Sequence, residues 1–258
     1  MFNKKTVSAI VPVYNEEQTL ANVIWILLLS PVINEVIAVN DGSNDDSVKI
    51  LKGFGNKIKL INFRKNKGKG AAIVAGIKKS KGKIVAFFDA DLIGFSKKHV
   101  KQLITPLIKN KVDATISQRL KGFIPTLTVL LSGERAYFKK DLIKHLNQME
   151  KTRFGLEVFL NNKYKNKNVK IIPMKGLSGV IKSQKHGKEG IKELIQEFKE
   201  IVQELKKQGK FSIKDKKLIE KIKIATSFEE IEQKVNKLIN KDLKKFFKEY
   251  VLKYLKKL

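Results

Sequence analysis

A chain of 258 residues with 42% hydrophobic content can bury a sizeable core, which excludes disorder throughout and suits one large domain or a domain with an appendage. Lysine and arginine number 54 against 25 acidic residues, a formal charge of +29, so nucleic acid, an anionic membrane face and phosphorylated substrates all fit as partners, as does a plain lysine bias. The absence of cysteine excludes a disulfide framework, a thiolate nucleophile and a cysteine-based zinc site.

At the start, Lys4 and Lys5 precede an apolar run, but Tyr14, Asn15, Glu16 and Glu17 follow where a signal peptide needs small residues. The greasy stretch 23–39 is broken by Ser30, Pro31, Asn34 and Glu35, short of the ~20 apolar residues of a spanning helix. The expectation is a cytoplasmic protein, soluble or peripheral at the inner membrane face.

Short β-branched runs at 7–13, 35–40, 59–63, 84–88 and 114–117 predict strands, with amphipathic segments between them. Apolar strands alternating with helices describe an α/β fold, a mostly parallel sheet covered on both faces, in which ligands gather at the strand carboxyl ends. Those ends carry Tyr14-Asn15-Glu16, Asp41-Gly42-Ser43 and Asp89-Ala90-Asp91. Residues 120–180 are irregular and punctuated by Pro125, Gly133, Gly155, Pro173, Gly176 and Gly179, which suits the acceptor side of a site. Beyond Gly190, apolar residues spaced by three and four, first from Ile191 to Leu205 and then from Phe228 to Leu255, predict amphipathic helices.

Asp89 and Asp91, one residue apart at the end of an apolar strand, suit Mg²⁺ or Mn²⁺, a hard cation held by one or two carboxylates and by substrate phosphates. The plain alternative is a capping Asp89 and a solvated Asp91. Asp41-Gly42-Ser43, followed by Asn44-Asp45-Asp46, reads as the start of a helix at 48–54 with several capping candidates; equally, Asp41 can accept hydrogen bonds from a nucleobase while Gly42 lets the ring approach the backbone. Asn66-Lys67-Gly68-Lys69-Gly70 places a cation and glycines ahead of an alanine-rich helix, as phosphate binding requires, although it is not a Walker A sequence. Glu157 lies on an apolar stretch, where a cleft position would raise its pKa toward the range useful for proton transfer; an ion pair with Arg153 is the alternative. Glu134, next to Arg135, is the second candidate acid.

Taken in order, Val11-Pro12-Val13-Tyr14-Asn15-Glu16-Glu17, Asn40-Asp41-Gly42-Ser43, Asn66-Lys67-Gly68-Lys69-Gly70 and Phe88-Asp89-Ala90-Asp91-Leu92 resemble glycosyltransferase family 2, nucleotide-sugar enzymes of the GT-A fold, over residues 7–182. The resemblance implies a Rossmann-like GT-A domain over 1–186 and a basic helical C-terminal region over 187–258. It implies a metal-dependent glycosyltransferase that uses a nucleotide-diphosphate sugar, UDP favoured over GDP, with Mg²⁺ or Mn²⁺. Pro12, Tyr14 and Glu16 would surround the uridine and Asp41, with Gly42 and Ser43, the base. Lys69 and Gly70 would lie near the nucleotide, and Asp89 and Ala90 near ribose or sugar. Asp91 would hold the metal, and Glu157 would act on the acceptor proton.

The Asp-Ala-Asp-Leu-Ile-Gly form is similar to a branch related to glucosyl-phosphoglycerate synthases and polyprenyl-phosphate sugar transferases, which implies a small phosphorylated or lipid-phosphate acceptor and leaves inversion and retention both open. In that branch a histidine after the last core strand completes the metal site. Here Gly179 stands in that region, and His186 is the nearest histidine.

Three alternatives remain at this level. They are a noncatalytic family member, a nucleic-acid-binding protein and a membrane-binding protein. Nucleic acid is not expected, because Asp89 and Asp91 repel phosphate unless a metal intervenes. Lysines around the C-terminal apolar stripe suit an anionic membrane, while the stripe itself equally suits packing on the catalytic domain or in a homodimer.

Overall fold

A computed structural model describes residues 6–119, 132–179 and 228–239, together with residues 217, 244 and 248. The chain divides into two compact units, 1–180 and 181–258. The expected domain boundary at 186–187, the helix expected from Ile191 to Leu205 and His186 lie outside the described residues.

In the first unit, β1 (Val7–Val13), α1 (Leu20–Leu28), β2 (Glu35–Asp41), α2 (Ser47–Gly53), β3 (Lys59–Phe63), α3 (Lys69–Lys79) and β4 (Ile84–Phe87) follow the expected alternation. Then come the short β5 (Leu92–Ile93), α4 (Lys97–Ile108), β6 (Ala114–Arg119), β7 (Arg135–Phe138), α5 (Lys139–Ile143), α6 (Leu146–Glu150), α7 (Leu156–Lys163), β8 (Val169–Met174) and β9 (Ser178–Gly179). Seven strands form one sheet in the order β3-β2-β1-β4-β7-β6-β8, parallel except for β7, which runs antiparallel to both β4 and β6. A separate antiparallel pair joins Leu92 to Gly179 and Ile93 to Ser178.

Alternation along each strand sends side chains to two cores. Val7, Ala9 and Val11 of β1 pack with Val23 and Leu27 of α1 and Leu103 and Leu107 of α4. Ile10 of the same strand faces Ala72, Ile73 and Ile77 of α3, a layer that Leu156 and Leu160 of α7 extend. Both faces are therefore buried, and the strands read as continuous apolar runs for that reason. Gly76 lets α3 lie close on β1, since a Cβ there would come within 2.4 Å of Ile10 Cγ2.

The topology also positions the site. From β1 the chain winds outward through β2 to β3, then returns so that β4 pairs with the other side of β1. The carboxyl ends of β1 and β4 thus flank a switch point, where the loops leaving them diverge and open a crevice. In the second unit, α8 (Phe228–Asn236) realises the start of the expected C-terminal helix, and a turn follows at Lys237. Among the described residues no helix is long and apolar enough to cross a membrane.

Candidate active site

Two turns at the crevice brace each other. Ser43 Oγ accepts the Asn15 amide at 3.0 Å, and Ser47 Oγ accepts the Glu16 amide at 2.9 Å. Asn15 Oδ1 accepts the Asn44 amide at 2.8 Å, and Asn15 adopts a left-handed φ of 55°, which its short polar side chain tolerates. Pro12, Tyr14 and Glu16 are left half-buried on this wall, as are Gly42 and Ser43.

Asp41 is buried beneath this wall. Its Oδ1 accepts the Lys67 amide at 2.7 Å and its Oδ2 the Gly68 amide at 2.8 Å. Burial pushes the Asp41 carboxyl above its ordinary pKa, against the pull of those two amides and of the Arg153 and Lys67 charges. The sequence reading gave the space at Gly42 to a nucleobase. In the structure the chain itself fills it: a Cβ on Gly42 would stand 2.6 Å from Asn66 N and 2.7 Å from the Lys65 carbonyl carbon, and φ is +78°. Asp41 and Gly42 together seat the loop 65–68, which delivers Lys69 at the first turn of α3.

From there a continuous line of charge crosses the crevice floor. Lys69 Nζ lies 2.6 Å from Glu157 Oε1 of α7 and 2.7 Å from Asp89 Oδ1 after β4. Asp89 Oδ2 lies 3.2 Å from Arg119 Nη2 at the end of β6, and Arg119 Nη2 and Nε reach Glu134 Oε1 and Oε2 at 2.5 and 3.1 Å. Glu134 also accepts Ser117 Oγ at 2.7 Å and Ser132 Oγ at 3.1 Å. Burial alone would lower the Lys69 pKa, but the Asp89 and Glu157 carboxylates outweigh it and hold the ammonium protonated well above its usual range.

Asp89 rests on Gly133, where a Cβ would come within 2.1 Å of its carboxylate. Asp91 acts electrostatically on Arg119. Close by is Gly179 of β9, where a Cβ would stand 3.1 Å from Asp91 Oδ2 and 2.6 Å from Arg119 Nη1. Ala90, between the two aspartates, is buried, and its carbonyl accepts Thr19 Oγ1 at 2.7 Å. Gly70 is buried too, and admits no Cβ because Met149 O would lie 2.3 Å away. Among the described residues no group of three or more histidine, cysteine, aspartate and glutamate side chains could hold a metal ion.

The structure therefore joins Lys69, Asp89 and Glu157, and Glu134 through Arg119, with Asp91 close to that guanidinium, and makes two revisions to the sequence reading. Glu157 pairs with Lys69; Arg153, the partner that helical spacing offered, sits before the helix at φ 48° with its side chain against Gly68. Glu134, the second candidate acid, for which pairing with Arg135 or capping was the alternative, pairs with Arg119 instead. Arg119 was not singled out by sequence, and Arg135 only as a partner for Glu134. Arg135 is 1% exposed and donates to the Ser132 carbonyl at 2.5 Å and to Asn161 Oδ1 at 2.6 Å, which ties β7 to the helix that carries Glu157. The only sequence signal for Arg119 was its place at a strand's carboxyl end.

Residues 8–155 match the model of glycosyl transferase family 2. An undecaprenyl-phosphate 4-deoxy-4-formamido-L-arabinose transferase of Aeromonas hydrophila is 38% identical over 167 residues, 60% of this chain and 46% of its own. A dolichyl-phosphate beta-glucosyltransferase of Drosophila melanogaster is 35% identical over 98 residues, 33% of this chain and 30% of its own. The chain thus spans less than half the length of these relatives. A glucosyl-3-phosphoglycerate synthase of Mycobacterium tuberculosis, solved with Mn²⁺, UDP-glucose and glycerol 3-phosphate, superposes with a TM-score of 0.62 at 21% identity, covering 78% of this chain and 79% of its own. That similarity gives the fold, a Rossmann-like GT-A arrangement, and with more than half of its length matched to the family model the chain belongs to glycosyl transferase family 2.

Proposed function

We propose that the protein transfers a sugar from a nucleotide-diphosphate donor, UDP-linked in preference, to an acceptor that carries phosphate. The observation that carries this reading is the pair Asp89–Asp91 at the switch point, flanked by Lys69 and Arg119. Solved relatives of the same fold bind UDP and phosphoglyceric acid, and curated relatives are named for transfer to polyprenyl phosphates.

The donor set fits Mg²⁺ or Mn²⁺. Carboxylate oxygens suit a hard cation, and two of them suffice where substrate phosphates supply further ligands. The local charge points the same way. Among the described residues, Asp89, Glu134 and Glu157 are paired with Lys69 and Arg119, with Asp91 close to Arg119, so two cations serve four carboxylates there and a diphosphate gains by arriving with a cation. Asp91, with Asp89 beside it, would hold the ion, which when bound neutralises charge on the departing nucleotide diphosphate.

In this reading Pro12, Tyr14 and Glu16 line the nucleoside wall. Asp41, Gly42 and Ser43 build the base end, Asp41 acting through the loop it holds. Lys69 and Gly70 set the phosphate end, and Lys69 meets developing negative charge with a permanently protonated amine. Glu157, on the opposite side of Lys69, orients the acceptor hydroxyl and takes its proton. The reading is tested by calorimetry of UDP with and without Mn²⁺: tight binding that needs the metal in the natural chain, and its loss in Asp91→Asn, are expected. Equal UDP affinity with and without Mn²⁺ in both proteins would refute it. Radiolabelled sugar transfer to polyprenyl phosphate and to phosphoglycerate then separates the two acceptor types.

A further inference from the structure

Both oxygens of the Asp89 carboxylate are already engaged by cations, Oδ1 by Lys69 at 2.7 Å and Oδ2 by Arg119 at 3.2 Å. Arg119 also interacts with Asp91, and its Nη1 points into the cradle left by Gly179, 2.6 Å from where a Cβ would stand. A side chain at 179 would meet the Arg119 guanidinium and the Asp91 carboxylate together. One guanidinium thus acts on both carboxylates that suit a divalent ion and lies in the space beside them. We propose that Arg119 is a resident counter-cation of the Asp89–Asp91 pair that competes with the divalent ion, so that metal binding requires the guanidinium to withdraw.

The geometry makes withdrawal feasible. Arg119 is anchored at Nε and Nη2 by Glu134, which is itself held by Ser117 and Ser132, so the guanidinium keeps a charged partner when it leaves Asp89. Glu134 is thereby a positioning residue: it keeps Arg119 at the rim, where the anion that accompanies the metal can take the donors that Asp89 releases. The consequence is ordered binding. The ion alone binds weakly because it must displace a cation, while ion and anionic ligand together bind well, since the anion offers Arg119 a new partner.

The inference rests on the reading of Asp89 and Asp91 as a cation site, and its test is metal binding itself. Free Mn²⁺ is counted by electron paramagnetic resonance against the full chain, against Arg119→Gln, and against the charge-balanced double variant Arg119→Gln/Glu134→Gln. The double variant removes the Glu134 carboxylate together with its guanidinium partner and so provides a comparison with unchanged net charge. Both variants are expected to bind Mn²⁺ alone about tenfold more tightly than the natural chain, because a competing unit charge a few ångströms from the ion has been removed. Tightening in the single variant only would assign the effect to net charge and overturn the proposal. Unchanged affinity in both, or no Mn²⁺ bound by any of the three, would also overturn it. If the Mn²⁺ series behaves as expected and the natural chain still binds no UDP, the glycosyltransferase reading fails while the competition stands.

Discussion

Lys69 ties the two sides of the crevice, since its ammonium is the shared partner of Asp89 and Glu157 and all three side chains are largely shielded from water. Replacing it with methionine leaves the buried Glu157 without its cation and Asp89 with Arg119 alone. The expected cost is roughly 2–4 kcal/mol of stability, the order found when one member of a buried pair is removed. Urea unfolding of Lys69→Met checks this, and a loss below about 0.5 kcal/mol, the level of an exposed pair, would show that the cluster is solvated. Glu157→Gln separates chemistry from binding: it should lower turnover at least tenfold while leaving UDP affinity within about threefold, the signature of a group that acts mainly in the transition state. Steady-state kinetics beside calorimetry decide it, and a matched loss of affinity would move Glu157 to the donor site. Sequence identified Glu157 as a buried acid from its apolar surroundings, but not its partner. Lys69 is distant in the chain, and no local spacing encodes an ion pair between residues of α3 and α7.

At the level of elements, the strand ends were legible because a parallel sheet buried on both faces leaves uninterrupted apolar runs, and polarity returns where each strand surfaces. β7 and β8 were not. β7 is four residues long with the buried, hydrogen-bonded Arg135 at its start, and β8 carries Lys170 and Pro173, so neither shows the apolar run that marks β1 or β4. The two glycines that shape the site act through these elements. Gly133, just before β7, gives the Asp89 carboxylate its seat, and Gly133→Ala should push Asp89 off Lys69 and Arg119. Metal-dependent UDP binding is expected to weaken at least tenfold, measured by calorimetry, with affinity equal to the natural chain as the contrary result. Gly42→Ala should be worse for the fold, because it combines a left-handed φ with a backbone collision. A loss of about 1–3 kcal/mol in urea unfolding is expected.

Across the described part of the first unit, paired carboxylates stand at both ends of the sheet. The carboxylates of the proposed site lie at one end of the sheet, while at the other end Glu35 joins β2 to its neighbours. It accepts Ser8 Oγ at 2.5 Å and the Lys81 amide at 2.6 Å, and it pairs with Lys59. Burial raises the Glu35 pKa, but the hydrogen bonds of Lys59, Ser8 and the Lys81 amide outweigh it, and the net shift is downward. A carboxyl with a depressed folded pKa contributes stability that is present above its unfolded value, near 4.3, and is lost as pH falls through the folded value. Glu35→Gln should therefore flatten the fall of stability below about pH 4. Parallel acid curves for the two proteins would show that Glu35 does not carry that dependence.

The central claim is that the crevice at the β1–β4 switch point binds a nucleotide-diphosphate sugar together with a divalent ion. Its most direct test is the melting temperature of the full chain against a panel of nucleotide sugars, each with and without Mn²⁺, because a ligand selective for the native state must raise it. The account predicts that UDP-sugars raise it more than GDP-sugars, only with Mn²⁺, and not in Asp91→Asn; a panel with no metal-dependent rise for any nucleotide sugar at millimolar concentration would contradict it.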